Sequence, residues 1–269
     1  MLLLKRDTVR SAKLSDDDLA CELAEGAGKA LLALQRREPH DGKTPLGVVG
    51  DKRSQEYLRK ALQQARPGDM VLSEEATDNP ARLNADRVWI IDPLDGTREF
   101  SEGRGDWAVH VALWSAGELV TGAVALPRLD MVCSSARQGQ VSAPHAPLRM
   151  AVSRSRAPEL AAQVAGQIGA QLIPMGSAGY KVCAVASGEV DIYLHDGGQY
   201  EWDSAAPVAV ARGAGLHASR IDGSPLRYNQ PNPYLPDLLV CRPELSGALL
   251  RLIDETRLTS SRSKGNAGE

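Results

Sequence analysis

The stretch from Val88 to Phe100 constrains the fold more than any other part of the chain. Its first four residues, Val-Trp-Ile-Ile, form a short apolar run rich in β-branched and aromatic side chains, which predicts a buried strand. Asp92 follows directly, so we expect its carboxylate where the sheet ends. Pro93 fixes its own φ and holds Asp92 away from helical geometry, while Gly96 permits a tight turn. The sequence therefore predicts a strand that delivers two carboxylates, those of Asp92 and Asp95, into a turn.

The turn that follows these carboxylates has the features of an anion site. Thr97 is a candidate N-cap for a helix that begins near Arg98, and the free N–H groups and positive dipole end of such a helix attract anions. Two neighbouring carboxylates repel each other, and they repel an anion, unless cations lie between them. Hard divalent ions with oxygen ligands, above all Mg²⁺, remove this conflict. The stretch is therefore typical of a metal-dependent phosphate site.

The composition argues against several classes of protein. The chain has 269 residues, which is enough for two joined subdomains. Its net charge of −3 and pI near 6.0 argue against nucleic acid polymers and anionic membranes as partners. The four cysteines are widely spaced and lie mostly in apolar runs, which favours reduced thiols. The segment Met1–Arg6 is too short for a signal-peptide core and no apolar run is long enough to cross a bilayer, so we expect a cytoplasmic protein.

Hydrophobic periodicity predicts an α+β subdomain over residues 1–145. A first helix is predicted from about Ser15 to Arg37, followed by a loop over Glu38–Gly50 and a second amphipathic helix that ends before Pro67. The short connections between the predicted strands favour an antiparallel sheet. The predicted strands are Met70–Ser73, Arg87–Asp92, Ala108–Trp114, Leu119–Leu126 and Met131–Ala136.

A second, more α/β-like subdomain is predicted over residues 146–269. After a polar linker near residues 141–147, strand and helix patterns alternate along the chain. An alanine-rich helix is predicted to open at Trp202-Asp203, and the last helix is predicted to end near Arg257. The tail from Thr259 is polar and is predicted to be disordered. The fold class expected from these patterns is α+β or α/β.

Three further acidic residues are candidates for the same site. Glu74 ends a predicted strand, Asp51 follows a loop and begins a helix, and Asp203 lies at the start of the alanine-rich helix. An aspartate at a helix start is more often a cap than a ligand, so both readings stay open for Asp51 and Asp203. His110, His195 and His217 lack a convincing nucleophile and metal-ligand spacing, which favours structural or surface roles for them.

Three signatures in this order resemble those of the inositol monophosphatase superfamily of lithium-sensitive, Mg²⁺-dependent phosphatases. They are Ser73-Glu74-Glu75, Asp92-Pro93-Leu94-Asp95-Gly96-Thr97 and Trp202-Asp203-Ser204-Ala205-Ala206. The following Arg98-Glu99-Phe100 is similar to the CysQ-type branch, the 3'(2'),5'-bisphosphate nucleotidases. Members of the superfamily fold as a layered α-β-α-β-α sandwich of the inositol monophosphatase and fructose-1,6-bisphosphatase type. The resemblance implies that fold here.

The resemblance also implies a set of metal ligands. Asp92 would bridge two Mg²⁺ ions, with Glu74 and the carbonyl of Leu94 completing one coordination sphere and Asp95 and Asp203 completing the other. A third ion shared with Glu74 is also implied. Two ions about 3.5–4 Å apart clamp an in-line displacement by activating water and stabilising the leaving oxygen.

The remaining catalytic roles follow from the same resemblance. Thr97 and Asp51 would orient the attacking water, and the backbone N–H groups of Gly96 and Thr97 would hold phosphate oxygens. Asp51, Thr97 and Glu74 are therefore the catalytic candidates, and residues 38–50 would form a mobile flap. Residues 47–50, Gly-Val-Val-Gly, depart from the polar, threonine-containing run that many relatives carry there.

Residues that choose the substrate are expected mainly in the second half. Ser177 and Lys181 lie one helical turn apart and would face one anion, and Arg98 would add a cation beside the metals. Glu201 is placed to reach a ribose or inositol hydroxyl. Solvated surface charges are the alternative for Arg98 and Lys181. The substrate-binding candidates are Asp95, Gly96, Thr97, Arg98, Ser177, Lys181, Glu201 and Asp203.

The resulting hypothesis is a phosphatase that removes the 3'-phosphate of adenosine 3',5'-bisphosphate (PAP), or of its sulfated form PAPS, in sulfur assimilation. Activity on inositol 1-phosphate or fructose 1,6-bisphosphate is the alternative within the superfamily. A catalytically silent protein that senses a bisphosphate nucleotide is a different class of function. The expected partner is a small phosphorylated molecule, and relatives are often homodimers.

Overall fold

The computed structural model describes residues 14–36, 45–136, 143–155 and 157–265, with side chains through residue 259. The α-helices within these ranges are α1 (Asp16–Gln35), α2 (Leu46–Ala65), α3 (Thr97–Ser101), α4 (Glu159–Ile168), α5 (Ala178–Ser187), α6 (Glu201–Gly213) and α7 (Pro243–Gly265). The strands are β1 (Met70–Ser73), β2 (Arg87–Asp95), β3 (Ala108–Ser115), β4 (Glu118–Leu126), β5 (Met131–Ser134), β6 (Arg149–Ser153), β7 (Gln171–Met175), β8 (Ile192–His195), β9 (Gln199–Tyr200), β10 (His217–Ser219), β11 (Tyr234–Leu235) and β12 (Leu238–Cys241).

The first sheet has the order β1-β2-β3-β4-β5, and all its pairs except β1 with β2 are antiparallel, as the short connections predicted. Strand β2 does not end at Asp92, as predicted, but continues to Asp95. Asp92 pairs with His110 and Asp95 pairs with Ala108, so three steps along β2 match two steps along β3. This β-bulge accommodates Pro93, which has no N–H to donate to a neighbouring strand. It also turns the end of β2 and re-aims both carboxylates.

The second sheet has the order β10-β12-β8-β6-β7. Strand β6 runs parallel to both β7 and β8, so the carboxyl ends of β6 and β7, at Ser153 and Met175, lie at the same edge. Strand β12 is antiparallel to β8 and β10. The parallel part agrees with the α/β character predicted for this half. The predicted boundary near residue 145 falls between the two sheets and stays a prediction.

Alternating side chains of β2 divide between two apolar cores. Val88 and Ile90 face a core shared with α5, α6 and the second sheet, whereas Trp89 and Ile91 face a core shared with α1 and α2. The outer face of the second sheet forms a third core with α4 and α7. This period of two is the normal consequence of strand geometry. The layers are therefore α-β-α-β-α, which confirms the sandwich that the resemblance implied.

The middle layer depends on small side chains. Helix α6 packs on β2, β3 and β4, and its inner face is largely alanine. A Cβ built on Gly122 of β4 would lie 2.6 Å from the Cβ of Ala209 and 2.9 Å from the carbonyl oxygen of Ala206. Only glycine permits this close approach. The approach fixes where α6 begins, and hence where Asp203 lies.

Two predicted helix boundaries are also wrong. None of the helices in the described part of the chain has the length and apolarity needed to cross a bilayer. Helix α2 begins at Leu46, so Asp51 lies inside the helix instead of at its start, and it cannot be the N-cap. Residues 38–44 of the predicted flap lie outside the described residues. Helix α7 continues to Gly265, beyond the predicted end near Arg257.

We expect Gly122→Ala to lower the free energy of unfolding by about 1–3 kcal/mol, because the new methyl group forces α6 away from β4. Gly166, in α4, is the matched control: a Cβ there meets nothing within 4 Å. Gly166→Ala should raise stability by about 0.5–1 kcal/mol, since alanine favours a helix. Urea unfolding of both variants measures the difference. Equal effects of the two substitutions would contradict the packing argument.

Candidate metal and phosphate site

Four carboxylates from three separate elements meet at one end of the first sheet. Asp92 and Asp95 come from the bulged end of β2, and Glu74 directly follows β1. Because β1 and β2 are parallel, with Ser73 paired to Ile91, their carboxyl ends lie side by side. Asp203 comes from the first turn of α6, which packs against the same sheet. The structure thus brings together all four side-chain metal ligands that were predicted.

Asp92 lies at the centre of this group and is 1% exposed. Its Oδ1 accepts a hydrogen bond from the N–H of Leu94 at 2.9 Å, while its Oδ2 is buried and has no hydrogen-bond partner within the described residues. Burial, and then the negative charges of Glu74, Asp95 and Asp203, raise the pKa of Asp92 well above its usual range. An unpartnered buried carboxylate oxygen is costly. It requires a proton or a cation.

Glu74 and Asp203 feel the same repulsion. Partial burial, followed by the charges of Asp203 and Asp95, raises the pKa of Glu74 to about 7, although this residue keeps an exposed edge. Burial and the charge of Asp95 raise the pKa of Asp203 to about 6. Asp203 Oδ2 also accepts the N–H of Tyr200 at 2.6 Å, so this residue caps α6 while facing the other carboxylates. Asp203 is therefore a helix cap and also remains a candidate metal ligand.

Asp95 differs from its neighbours because two donors hold it ionised. Its Oδ2 accepts the N–H of Gly179 at 2.8 Å and lies 3.1 Å from Nε2 of His110, a distance typical of an ion pair although the angle is poor for a hydrogen bond. Burial opposes the ionised form, but the charge of His110 and these donors, with Lys181 nearby, hold the pKa of Asp95 below its usual range. Asp95 is therefore fixed in one orientation.

His110 is a site residue that the sequence reasoning missed. Its ring is fully buried, with Nδ1 3.0 Å from the carbonyl oxygen of Trp202 and Nε2 beside Asp95. Burial disfavours its protonated form, but Asp95 and the Trp202 carbonyl outweigh this and raise the pKa of His110. A Cβ on Gly179 would collide with the ring. The feature that places His110 in the site is its pairing with Asp92 across β2 and β3. That pairing can be predicted only if the register of the two strands is known.

Thr97 and Asp51 form the pair expected to orient water. The Thr97 hydroxyl lies 3.3 Å from Oδ1 of Asp51 and 3.1 Å from the carbonyl oxygen of Leu94, and its single proton is donated to one of them. Burial and the charge of Glu75 raise the pKa of Asp51 to about 6, while the hydroxyl opposes the shift. A carboxyl group of this kind is suited to accept a proton near neutral pH.

Glycines explain the unusual sequence before Asp51. A Cβ on Gly47 would lie 2.5 Å from Cγ2 of Thr97, and one on Gly50 would lie 2.9 Å from Phe100 Cε1 and 3.0 Å from Leu94 Cδ2. These positions form the face of α2 that packs against α3 and the end of β2. The Gly-Val-Val-Gly run therefore brings Asp51 close to Thr97.

The turn itself is formed by Gly96, which has φ of +89° and precedes α3. Helix α3 has only five residues, so its dipole is small, and an anion bound at the turn would contact mainly the backbone N–H groups there. Gly96 also permits close contact with the segment that carries Ser177, since a Cβ there would lie 3.2 Å from the Ser177 Cβ. The two halves of the site meet at this point.

Four side chains that were predicted to contact the substrate already have partners within the protein. The side chain of Arg98 is 69% exposed and pairs with Glu102 at 2.9 Å. Lys181 is buried and donates to the carbonyl oxygens of Gly176 and Ser177, and burial lowers its pKa to about 8. Ser177 caps α5, accepting the N–H of Tyr180. Glu201 is 1% exposed and accepts two backbone N–H groups, those of Asn229 and Gln230. These contacts favour structural roles for Ser177 and Glu201.

The ligand atoms in the site fit a hard divalent cation. Apart from His110, the groups brought together here are carboxylates, whose oxygens Mg²⁺ prefers. Ligand atoms of Asp92, Asp95 and His110 lie within 4.8 Å of one another, but both nitrogens of His110 already face protein oxygens. His110 therefore acts on Asp95 instead of serving as a ligand. The unpartnered Oδ2 of Asp92 is a candidate ligand atom for such a cation.

We expect the metal-free protein to lose stability as pH rises from about 4.5 to 7. Folded-state pKa values of about 7 for Glu74 and about 6 for Asp203 exceed those of the unfolded chain. The folded state therefore binds more protons in this window, and its advantage is lost as they dissociate. Mg²⁺ should restore the melting temperature at pH 8 and have little effect at pH 5.

The matched variant for this prediction is Glu74→Gln, which removes one repelling charge. Without metal it should melt at a higher temperature than the native protein at pH 8 and at nearly the same temperature at pH 5. Thermal denaturation of the metal-stripped proteins across this range gives the comparison. The repulsion argument would be contradicted if Glu74→Gln were stabilised relative to the native protein at pH 5 but not at pH 8.

Comparisons with known proteins agree with this geometry. The inositol monophosphatase family model matches residues 15–257. The 3'-phosphoadenosine 5'-phosphate phosphatase of Mycobacterium leprae (strain TN) is 48% identical over 268 residues, covering 93% of this chain and 97% of the relative. The 3'(2'),5'-bisphosphate nucleotidase CysQ of Escherichia coli (strain K12) is 31% identical, covering 81% and 96% of the two chains.

A solved structure of CysQ from Bacteroides thetaiotaomicron, described as a bacterial member of the inositol monophosphatase family, has the same fold. It superposes with a TM-score of 0.71 at 26% identity and covers 83% of this chain and 95% of its own. The family match extends over the site, and the layers and strand ends that carry the acidic residues are those expected. The chain belongs to the inositol monophosphatase family.

Proposed function

We propose that the protein is a Mg²⁺-dependent phosphatase that hydrolyses the 3'-phosphate of PAP to give AMP and phosphate. The observation that carries the proposal is the convergence of Glu74, Asp92, Asp95 and Asp203 around an unpartnered carboxylate oxygen. The names of the relatives in mycobacteria and E. coli support the choice of substrate. PAPS, which carries the same 3'-phosphate, belongs to the same substrate class.

Five groups would hold the metal. They are the carboxylates of Glu74, Asp92, Asp95 and Asp203 and the carbonyl of Leu94. When bound, Mg²⁺ supplies Lewis-acid activation of water and neutralises the charge of the phosphate. The protein contributes orientation, because His110 and the N–H of Gly179 fix Asp95 and the N–H of Tyr200 fixes Asp203.

The chain's own groups complete the reaction. Asp51 accepts a proton from the attacking water, and the Thr97 hydroxyl, shared between Asp51 and the Leu94 carbonyl, orients that water. The backbone N–H groups of Gly96 and Thr97 hold phosphate oxygens at the turn. Phosphate transfer goes directly to water, because neither the mechanism nor the geometry requires a covalent intermediate.

Two other functions are less well supported. Inositol 1-phosphate and fructose 1,6-bisphosphate would meet the same metal and phosphate contacts, so they remain alternative substrates. A silent nucleotide sensor would not need the Asp51–Thr97 pair, which is assembled here from two separate elements. That pair favours an enzyme.

We expect PAP to be the preferred substrate. With Mg²⁺, kcat/KM for PAP should exceed that for inositol 1-phosphate and fructose 1,6-bisphosphate by at least about tenfold, a difference of about 1.4 kcal/mol in transition-state binding. Lithium should inhibit the reaction. Initial phosphate-release rates on the three compounds measure the preference, and faster turnover of either alternative substrate would overturn the assignment.

Asp51→Asn should lower kcat by about 10²–10⁴-fold, because the variant retains the shape of Asp51 but cannot accept the proton. The affinity for Mg²⁺, measured by calorimetry, should be nearly unchanged, since Asp51 is not among the proposed ligands. Glu75→Gln is the matched control because Glu75 is an exposed neighbour that acts on Asp51 only through its charge. It should keep kcat within about tenfold. Equal losses in both variants would contradict the role of Asp51.

A further inference from the structure

We propose that the second anionic group of the substrate binds in a cavity lined by Arg104, Arg128 and Arg154, beside the metal site. This inference rests on the proposed bisphosphate function and names the place where the 5'-phosphate would be held. It replaces Lys181 and Arg98, which the sequence indicated for this task.

The cavity has a volume of about 440 Å³, which is large enough for a phosphate and part of a nucleoside. Arg154 directly follows β6, and Met175, at the end of β7, also lines the cavity. These strands are parallel and their carboxyl ends lie together. Ligands of open α/β sheets bind outside the carboxyl ends of parallel strands. The cavity therefore lies where this topology places a ligand.

The charges around the cavity favour an anion. Three arginines line it, against the two carboxylates of Asp106 and Glu189. Arg154 donates to Asp106 Oδ2 at 2.6 Å, and Arg104 Nε lies 3.3 Å from Asp106 Oδ1. The side chain of Arg128 is exposed and makes no hydrogen bond or ion pair within the described residues. One guanidinium is therefore available, and guanidinium groups suit bidentate contacts with phosphate.

Asp106 connects this cavity to the metal site. Its carboxylate accepts the N–H of Gly176 at 2.8 Å, and its carbonyl oxygen accepts the N–H of Ser177 at 3.0 Å. Three residues beyond Gly176, the N–H of Gly179 binds Asp95. Three residues of extended chain span at most about 10 Å. Gly176, which Asp106 binds, therefore lies within about 10 Å of the residue that binds Asp95, a separation comparable in size to a ribose that bears two phosphates.

The residues first expected to bind the distal phosphate are less suitable. Lys181 is buried against the carbonyl oxygens of Gly176 and Ser177, so its ammonium group already has its partners. Arg98 points to solvent and pairs with Glu102. The arginine cavity, by contrast, is lined by the exposed side chain of Arg128, which has no hydrogen bond or ion pair within the described residues.

Arg128→Gln gives the sharpest test, because removal of an exposed side chain without a partner leaves the fold intact. We expect KM for PAP to rise about tenfold with little change in kcat. KM for 3'-AMP, which has the scissile phosphate but no 5'-phosphate, should be unchanged. Arg154→Gln should act in the same direction and Arg154→Lys should partly restore binding. Arg59→Gln, on the exposed face of α2, is the control and should match the native enzyme for both substrates.

A direct binding measurement makes the result independent of turnover. Calorimetry with 5'-AMP and with adenosine, both without metal, compares ligands that differ only in the 5'-phosphate. The native protein should bind 5'-AMP more tightly than adenosine, and Arg128→Gln should abolish most of that difference. Equal loss of affinity for PAP and 3'-AMP in the arginine variants, or no loss for either, overturns the cavity assignment. Absence of PAP hydrolysis by the native enzyme, with the 5'-AMP preference intact, would instead overturn the proposed function alone.

Discussion

The structure depends on the mutual repulsion of carboxylates around Asp92. Folding places Glu74, Asp92, Asp95 and Asp203 close together and buries one oxygen of Asp92 without a partner. Packing outside the cluster holds these carboxylates in place. Strands β1 and β2 end side by side, the bulge in β2 sets the spacing of Asp92 and Asp95, and α6 packs tightly onto β4. Only a cation of high charge density converts the repulsion into binding energy.

The four carboxylates are not equivalent, and the surrounding donors explain the difference. Asp95 is held ionised by His110 and by the N–H of Gly179, whereas Glu74 and Asp92 have raised pKa values. A carboxylate that favours the ionised form therefore lies next to carboxyl groups that would lose their protons when a metal ion binds. His110 also binds the carbonyl of Trp202, so one ring connects the end of β2 to the start of α6. A single buried imidazole thus keeps ligands from distant parts of the chain in register.

The sequence was most informative where local pattern decides structure. The predicted strand ends at Ser73-Glu74 and Ile91-Asp92, and the predicted helix start at Trp202-Asp203, marked the acidic residues as candidates. The resemblance to the inositol monophosphatase superfamily was needed to group them into one site and to predict the layered fold. The bulge at Pro93 was not predictable because it depends on register with β3. Lys181 and Arg98 were assigned by charge and spacing, but their partners are a pair of carbonyl oxygens and a neighbouring glutamate, which depend on how the chain closes in space. His110 was missed for the same reason.

The glycines at positions 47 and 50 separate two properties of the site. They let α2 rest against the end of β2, and Asp51 reaches Thr97 only through that contact, whereas the carboxylates around Asp92 come from other elements. A sliding motion of α2 would therefore separate Asp51 from Thr97, the pair proposed to orient water, and leave the proposed cation ligands in place. In this architecture the catalytic rate can therefore change, through substitutions in α2 or through its motion, without an equal change in metal affinity.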